Sequence, residues 1–326
     1  MARRFAGHTR EKTWNHSLKP ELLIDTDPGI DDALAILMAH AHADVAGLAV
    51  VGGNVGLAHT TRNALKLVET IGAGTPVFPG AAMPLVVAAP DAGFVHGADG
   101  FGDTGYFTAS RLPEEEHAAN AIVRLARERP GELTLVALAP LTNLALAVRL
   151  DPTLPSRVAR LVVMGGAVTG RGNTHHVPAE FNIGFDPEAA HVVFSAWPMF
   201  DLVDWEACLR HTLDFEWFEA TLSKGDARAR FYDAISRKTR AFNRTRGRPG
   251  VVAADALAMA VAVDPGIVTE AETRHVAIEL GGALTRGATV VDWEGRLGAA
   301  PNARIVLDVD RRRFEALVAG ALGAPP

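Results

Sequence analysis

Leu22-Leu23-Ile24-Asp25-Thr26-Asp27-Pro28-Gly29-Ile30-Asp31-Asp32 is the stretch that decides how this chain is read. Three apolar residues lead in, four carboxylates follow within residues 25–32, and an apolar, helix-like run continues over 33–39. A strand that ends in an acidic turn and feeds a helix places those acids at the carboxyl edge of a sheet, where open α/β folds bind ligands. Carboxylates this crowded repel one another and hold protons more tightly unless a cation sits among them. An N-capping aspartate beside the positive end of a helix accounts for one or two of the four. It does not account for four wrapped around a Pro-Gly turn.

Working outward, apolar β-rich runs at 45–51, 76–78, 133–138, 160–164 and 199–203 alternate with helix-like stretches at 58–71, 114–129, 141–150 and 186–196. Strands that are apolar throughout fit a sheet covered on both faces. Residues 226–246 and 253–263 read as further helices. Strands near 275–280, 287–293 and 303–309 suggest a hairpin-rich edge closed by a last helix. The pattern predicts an α/β fold: a Rossmann-like, open, mostly parallel sheet with helices on both faces. It forms a single domain over 21–326, after an N-terminal extension over 1–20.

Composition narrows the function. The formal net charge is −6, which offers no electrostatic footprint for nucleic acid. No run of about 18 apolar residues is present, so no membrane partner is expected. Cys208 is the only cysteine, which rules out an intrachain disulfide and points to a reducing, cytoplasmic setting. Residues 1–20 lack the apolar core of a secretory signal.

Chemistry-bearing residues fall where strands end. Asp27 and Asp32 follow the first strand, Asn54 the second, the Leu138 carbonyl the third and Met164 the fourth. In a parallel sheet all of these share one rim. Glu180 and Asn182, two apart in the loop after Gly166, point the same way on an extended segment and can grip one ligand. Carboxylates with a backbone carbonyl select a hard cation, Ca²⁺ or Mg²⁺, over zinc. Such a cation lowers the pKa of a bound water and makes a nucleophile without a serine or cysteine triad. Gly100, Gly102 and Gly105 match GxGxxG, but no strand feeds the stretch, so 96–105 reads as a lid or ligand-side loop.

At this point the chain resembles the nucleoside hydrolases, the inosine–uridine-preferring ribohydrolase family. Residues 25–33 match its N-terminal signature. Agreement continues through Gly53-Asn54, residues 140–145, Val163-Met164-Gly165-Gly166, Ala179-Glu180-Phe181-Asn182 and residues 186–190, across about 21–320. The resemblance implies hydrolysis of the N-glycosidic bond of a ribonucleoside to free base and ribose, with one Ca²⁺ held by Asp27, Asp32, Asp255 and the Leu138 carbonyl. Asp27 would also be the general base for the metal-bound water. Asp31 and Asn54 would bind ribose hydroxyls, and Glu180, Asn182 and Asn173 the rest of the sugar. Met164 would pack against the ribose, and His96 and Phe181 would face the base or sugar. A homodimer or homotetramer is implied by the same resemblance.

Two features depart from the family's pattern. Ala254 stands where many members carry a histidine that protonates the leaving base; His96, His175, His176, His211, Trp205 and the basic segment 237–248 are the candidates to replace it. Asn173 lies one residue further from Glu180 than the pattern expects, so Thr174 competes for its place. Two other readings remain open here: a Mg²⁺-dependent phosphohydrolase built on Asp25-Thr26-Asp27, and a non-catalytic nucleoside- or ribose-binding protein.

Overall fold

The computed structural model describes residues 19–106 and 109–325, so nearly all of the expected extension over 1–20 lies outside the described residues. The strands in chain order are β1 (Glu21–Thr26), β2 (Asp44–Val50), β3 (Val77–Pro79), β4 (Leu133–Ala137), β5 (Arg160–Met164), β6 (Phe200–Val203), β7 (Leu213–Asp214), β8 (Gly250–Val251), β9 (Val268–Ile278), β10 (Thr289–Asp292) and β11 (Ala303–Val309). Nine of them form one sheet in the order β10-β9-β11-β6-β5-β4-β1-β2-β3. From β11 through to β3 every neighbouring pair is parallel, whereas β9 runs antiparallel to both β11 and β10. β7 and β8 form a separate antiparallel ribbon.

Successive residues of a strand face opposite sides of a sheet, and the burial follows this rule. Leu22, Ile24, Val136 and Val162 join a core on one side with the helices Ile30–His42, Ala254–Val263 and Arg311–Ala321. Leu23, Leu135, Leu161 and Val163 join a second core with the helices Ala118–Glu128, Thr142–Leu150 and Pro187–Ala196. Each such side chain contributes roughly 1.5–3 kcal/mol by leaving water. The predicted open, mostly parallel sheet in a single α/β domain is what forms.

Local differences have local causes. The helix expected over 114–129 begins only at Ala118, because His117 caps it and the Glu114 N–H donates to the Val77 carbonyl at the end of the sheet. β9 starts at Val268, earlier than its apolar part suggests. Its first half is mostly polar and exposed or half-buried, held by pairing with β11 more than by burial. Short helices at Phe181–Phe185, Trp205–Arg210 and Phe215–Lys224 are set by the N-capping side chains of Glu180, Asp204 and Asp214. The glycine-rich loop is fastened to the body of the domain. Asn63 Nδ2 donates to the carbonyls of Pro28 and Asp99, and Asp103 pairs with Lys238 at 2.6 Å.

Candidate functional site

The turn after β1 is built by its own acids. Asp32 reaches back over the start of the helix Ile30–His42, where Gly29 offers no capping side chain. Its Oδ2 accepts the Gly29 N–H at 3.0 Å and Asn54 Nδ2 at 3.0 Å, while Oδ1 accepts the Thr26 hydroxyl at 2.6 Å and the Asp27 N–H at 3.2 Å. Four donors fix the orientation of this fully buried carboxylate. Asp27 is held by one side only: the Asn54 N–H donates to Oδ2 at 2.6 Å, and Oδ1 is buried without a hydrogen-bond partner. Asp31 Oδ1 is likewise buried and unpartnered.

Asp255, in the first turn of the helix Ala254–Val263, completes the group. Carboxylate oxygens of Asp31, Asp32 and Asp255 lie within 4.8 Å of one another. Burial pushes the pKa of Asp27 well above the usual carboxylate range, and the charges of Asp32 and Asp31 push it further. Asp255 is raised for the same reasons, with Asp31, Asp32 and Asp27 all acting on it. Burial lifts Asp31 to about 6. Repulsion among buried acids, together with orphaned lone pairs on an all-oxygen donor set, suits a hard divalent cation. The Leu138 carbonyl accepts Asn182 Nδ2 at 2.9 Å and keeps a second lone pair.

Close approach of the backbone supports this cluster. A Cβ on Gly53 would lie 2.1 Å from Asp27 Oδ2, far inside van der Waals contact. Gly53→Ala is therefore expected to displace Asp27, costing about 1–3 kcal/mol in a thermal melt and most of the turnover. A variant with wild-type kcat would show that the position of Asp27 is not critical.

A cavity of about 590 Å³ opens beside the acids. Asp31, Asn54, His96, Leu138 and Asp255 line it, together with Met164, Asn173, Glu180, Phe181 and Asn182. Glu180 caps the helix Phe181–Phe185, accepting the N–H groups of Asn182 and Ile183 at 3.0 and 3.2 Å and that of Gly166 at 3.0 Å. Burial still raises its pKa to about 7. His96 Nδ1 accepts the Ile30 N–H at 3.0 Å, so the neutral ring carries its proton on Nε2; burial lowers its pKa to about 4. Of the two residues competing after Gly172, Asn173 lines the cavity. The Thr174 hydroxyl is spent on the carbonyls of His176 and Ala179 at 3.0 Å each.

Other candidates fall elsewhere. Asp25 accepts Asn143 Nδ2 at 2.9 Å, and burial raises it to about 7. His211 pairs with Asp308 at 2.9 Å, and His175 and His176 lie ring to ring, 4.1 Å between centroids; none of the three lines the cavity. Trp205, Arg246 and Arg248 do line it, joined by Phe94, Phe242 and Asn243, which the sequence reading missed. The helix Ala227–Thr245 carries two of those three, and its periodicity marks a buried face without saying that this face meets a cavity.

An open α/β sheet whose strand ends carry a cation-competent acid cluster, beside a cavity lined with amides and carboxylates, fits a cation-dependent enzyme acting on a polar small molecule. Comparisons with known proteins narrow this. The family model described as inosine-uridine preferring nucleoside hydrolase matches residues 22–316. The chain is 37% identical over 308 residues to the non-specific ribonucleoside hydrolase RihC of Klebsiella pneumoniae, covering 94% of this chain and 99% of that protein. It is 35% identical to the inosine-uridine preferring nucleoside hydrolase of Crithidia fasciculata, covering 93% and 97%. Among solved structures, an inosine-guanosine nucleoside hydrolase superposes with a TM-score of 0.88 at 33% identity, covering 95% of this chain and all 100% of that one. The chain belongs to the inosine-uridine preferring nucleoside hydrolase family. Its reaction is the hydrolysis of the N-glycosidic bond of ribonucleosides, which sets aside the phosphohydrolase and the non-catalytic readings.

Proposed function

We propose that the cation of this site is Ca²⁺, carried by Asp27, Asp32, Asp255 and the Leu138 carbonyl, and that the substrate's ribose 2′- and 3′-hydroxyls close its coordination. One observation carries the reading: carboxylate oxygens of Asp31, Asp32 and Asp255 converge within 4.8 Å, and Asp27, outside that trio, is near enough for its charge to act on Asp255. Ca²⁺ takes about six to eight oxygen ligands, carboxylate and carbonyl together, where Mg²⁺ prefers to keep its waters. Bound there, the ion supplies Lewis acidity toward a water and a fixed point for the sugar diol.

The side chains supply the rest. Asp27 accepts the proton of the attacking water through Oδ1, the oxygen without a donor, while Asn54 on Oδ2 keeps the carboxylate aimed. Asp31 and Asn54 hold ribose hydroxyls. Asn173, Glu180 and Asn182 hold the remainder of the sugar, Met164 packs against it, and His96 and Phe181 face the base or sugar. As the bond to the base stretches, positive charge grows on the ribose, and the surrounding carboxylates stabilise it.

Loss of the 2′-hydroxyl removes a contact made to the ion. We expect kcat/KM for 2′-deoxyuridine to fall at least about 10²-fold below that for uridine in a reducing-sugar assay. Comparable turnover of the two would remove the diol from the coordination. Among the described residues no helix is long and apolar enough to cross a membrane. The family resemblance supports a cytoplasmic homodimer or homotetramer, and a monomeric mass by light scattering would overturn that assembly.

A further inference from the structure

Ala254 precedes Asp255 at the start of the late helix, and its methyl group can neither donate nor hold a proton. His96, the histidine of the cavity, accepts the Ile30 N–H at Nδ1 and is kept neutral by burial, so its Nε2–H can donate a hydrogen bond but is a poor acid toward a leaving base. The remaining strong donors in the cavity wall are guanidinium groups. On the helix Ala227–Thr245, Arg237 and Arg240 pair with Asp233 and Arg244 with Glu219, and none of these three lines the cavity. Arg171, and Arg246 and Arg248 just beyond that helix, line the cavity and form no ion pair among the described residues.

Arg246 lies over the Phe242 ring, 5.1 Å from the centroid, but among the described residues only Arg248 of the three adds a side-chain hydrogen bond to such a stacking contact. Its guanidinium lies over the Trp205 ring, 5.1 Å from the centroid, and Nη1 donates to Asn243 Oδ1 at 2.9 Å. Both holders are themselves fixed. The backbone N–H of Trp205 donates to the Gly166 carbonyl at 2.9 Å beside the end of β5. Asn243 is buried, with Nδ2 on the Thr239 carbonyl at 2.8 Å. Partial burial and the neighbouring Arg246 make this cation unfavourable, and both lower its pKa. An anion arriving in the cavity relieves that cost. A guanidinium carries five N–H donors, of which Asn243 takes one, and it stays charged at any working pH.

We propose that Arg248, stacked on Trp205 and anchored by Asn243, is the catalytic residue that activates the departing base, stabilising it as an anion by charge and hydrogen bonding rather than by giving it a proton. The inference rests on the nucleoside-hydrolase reading of the same cavity. The bond between C1′ and the base nitrogen breaks with both electrons passing to the base, and the water oxygen bonds to C1′. The water's proton passes to Asp27 and returns to the base through solvent, so ribose and neutral base are the products. Bases that delocalise negative charge over ring carbonyls, such as uracil and hypoxanthine, fit this device best.

The test compares leaving groups. Uridine, inosine and 4-nitrophenyl β-D-ribofuranoside are assayed with wild type, Arg248→Gln and Arg248→Lys in the presence of Ca²⁺. Nitrophenolate leaves unaided. Arg248→Gln is expected to lower kcat on the two nucleosides about 10²–10³-fold while changing the nitrophenyl riboside rate by no more than about threefold. Arg248→Lys, which keeps charge but not the planar fork, should recover part of the nucleoside rate. Equal losses on all three substrates, or no loss on the nucleosides, overturns the proposal. Wild-type protein inactive on every one of the three instead overturns the hydrolase reading beneath it.

Discussion

Asp27→Ala is expected to lower kcat on uridine by at least about 10³-fold, the upper range of what a positioned general base contributes. Asp27 is the carboxylate of the turn with one oxygen fixed by the Asn54 N–H and the other buried and unpartnered. That arrangement leaves lone pairs on Oδ1 available both to a cation and to a water proton. The loss should appear in kcat more than in KM, because the interaction develops as the water is deprotonated. Asp27→Asn keeps the shape and the Asn54 contact but cannot accept the proton, so it should be nearly as slow. A reducing-sugar assay giving either variant a kcat within tenfold of wild type removes Asp27 as the base.

The second large effect is on stability and runs through pH. Without a cation, burial raises Asp25 and Glu180 to about 7 and Asp31 to about 6, against ordinary carboxylate values near 4. The folded protein then binds more protons than the unfolded chain between about pH 4 and 7, so stability falls as pH rises through that window and is lowest above it. Chelated protein should melt at least about 5 °C lower at pH 8 than at pH 5.5. Ca²⁺ in excess of its dissociation constant should restore most of that difference, since it binds only the folded cluster. Asp255→Asn removes one of the mutually repelling charges. It should raise the melting temperature of chelated protein at pH 8, abolish the Ca²⁺-dependent shift and leave turnover near zero. A chelated wild type whose melting point rises from pH 5.5 to 8 contradicts the picture of repelling buried acids.

Much of this was legible because its signals are local. An apolar triplet, a Pro-Gly turn, paired aspartates and a helical run declare a strand–turn–helix unit within about a dozen residues of sequence. Repeating such units declares a parallel sheet. The short helices at Phe181–Phe185 and Trp205–Arg210 were less visible, since five or six residues show no periodicity and depend on a single capping carboxylate. The mostly polar first half of β9 carried no hydrophobic alternation, because its order comes from pairing with β11 more than from burial.

By itself, then, the order of residues determined the α/β alternation, the acidic turn, and the amide and carboxylate residues available at each strand end, all consequences of short-range patterning and strand polarity. Only the tertiary structure decided that Asp255 approaches Asp31 and Asp32, that Asn173 rather than Thr174 meets the cavity, and that Arg248 lies on Trp205. These are contacts between segments far apart in the chain. The sheet order and the packing of helices around it bring them together, and no spacing along the sequence encodes a distance across the fold.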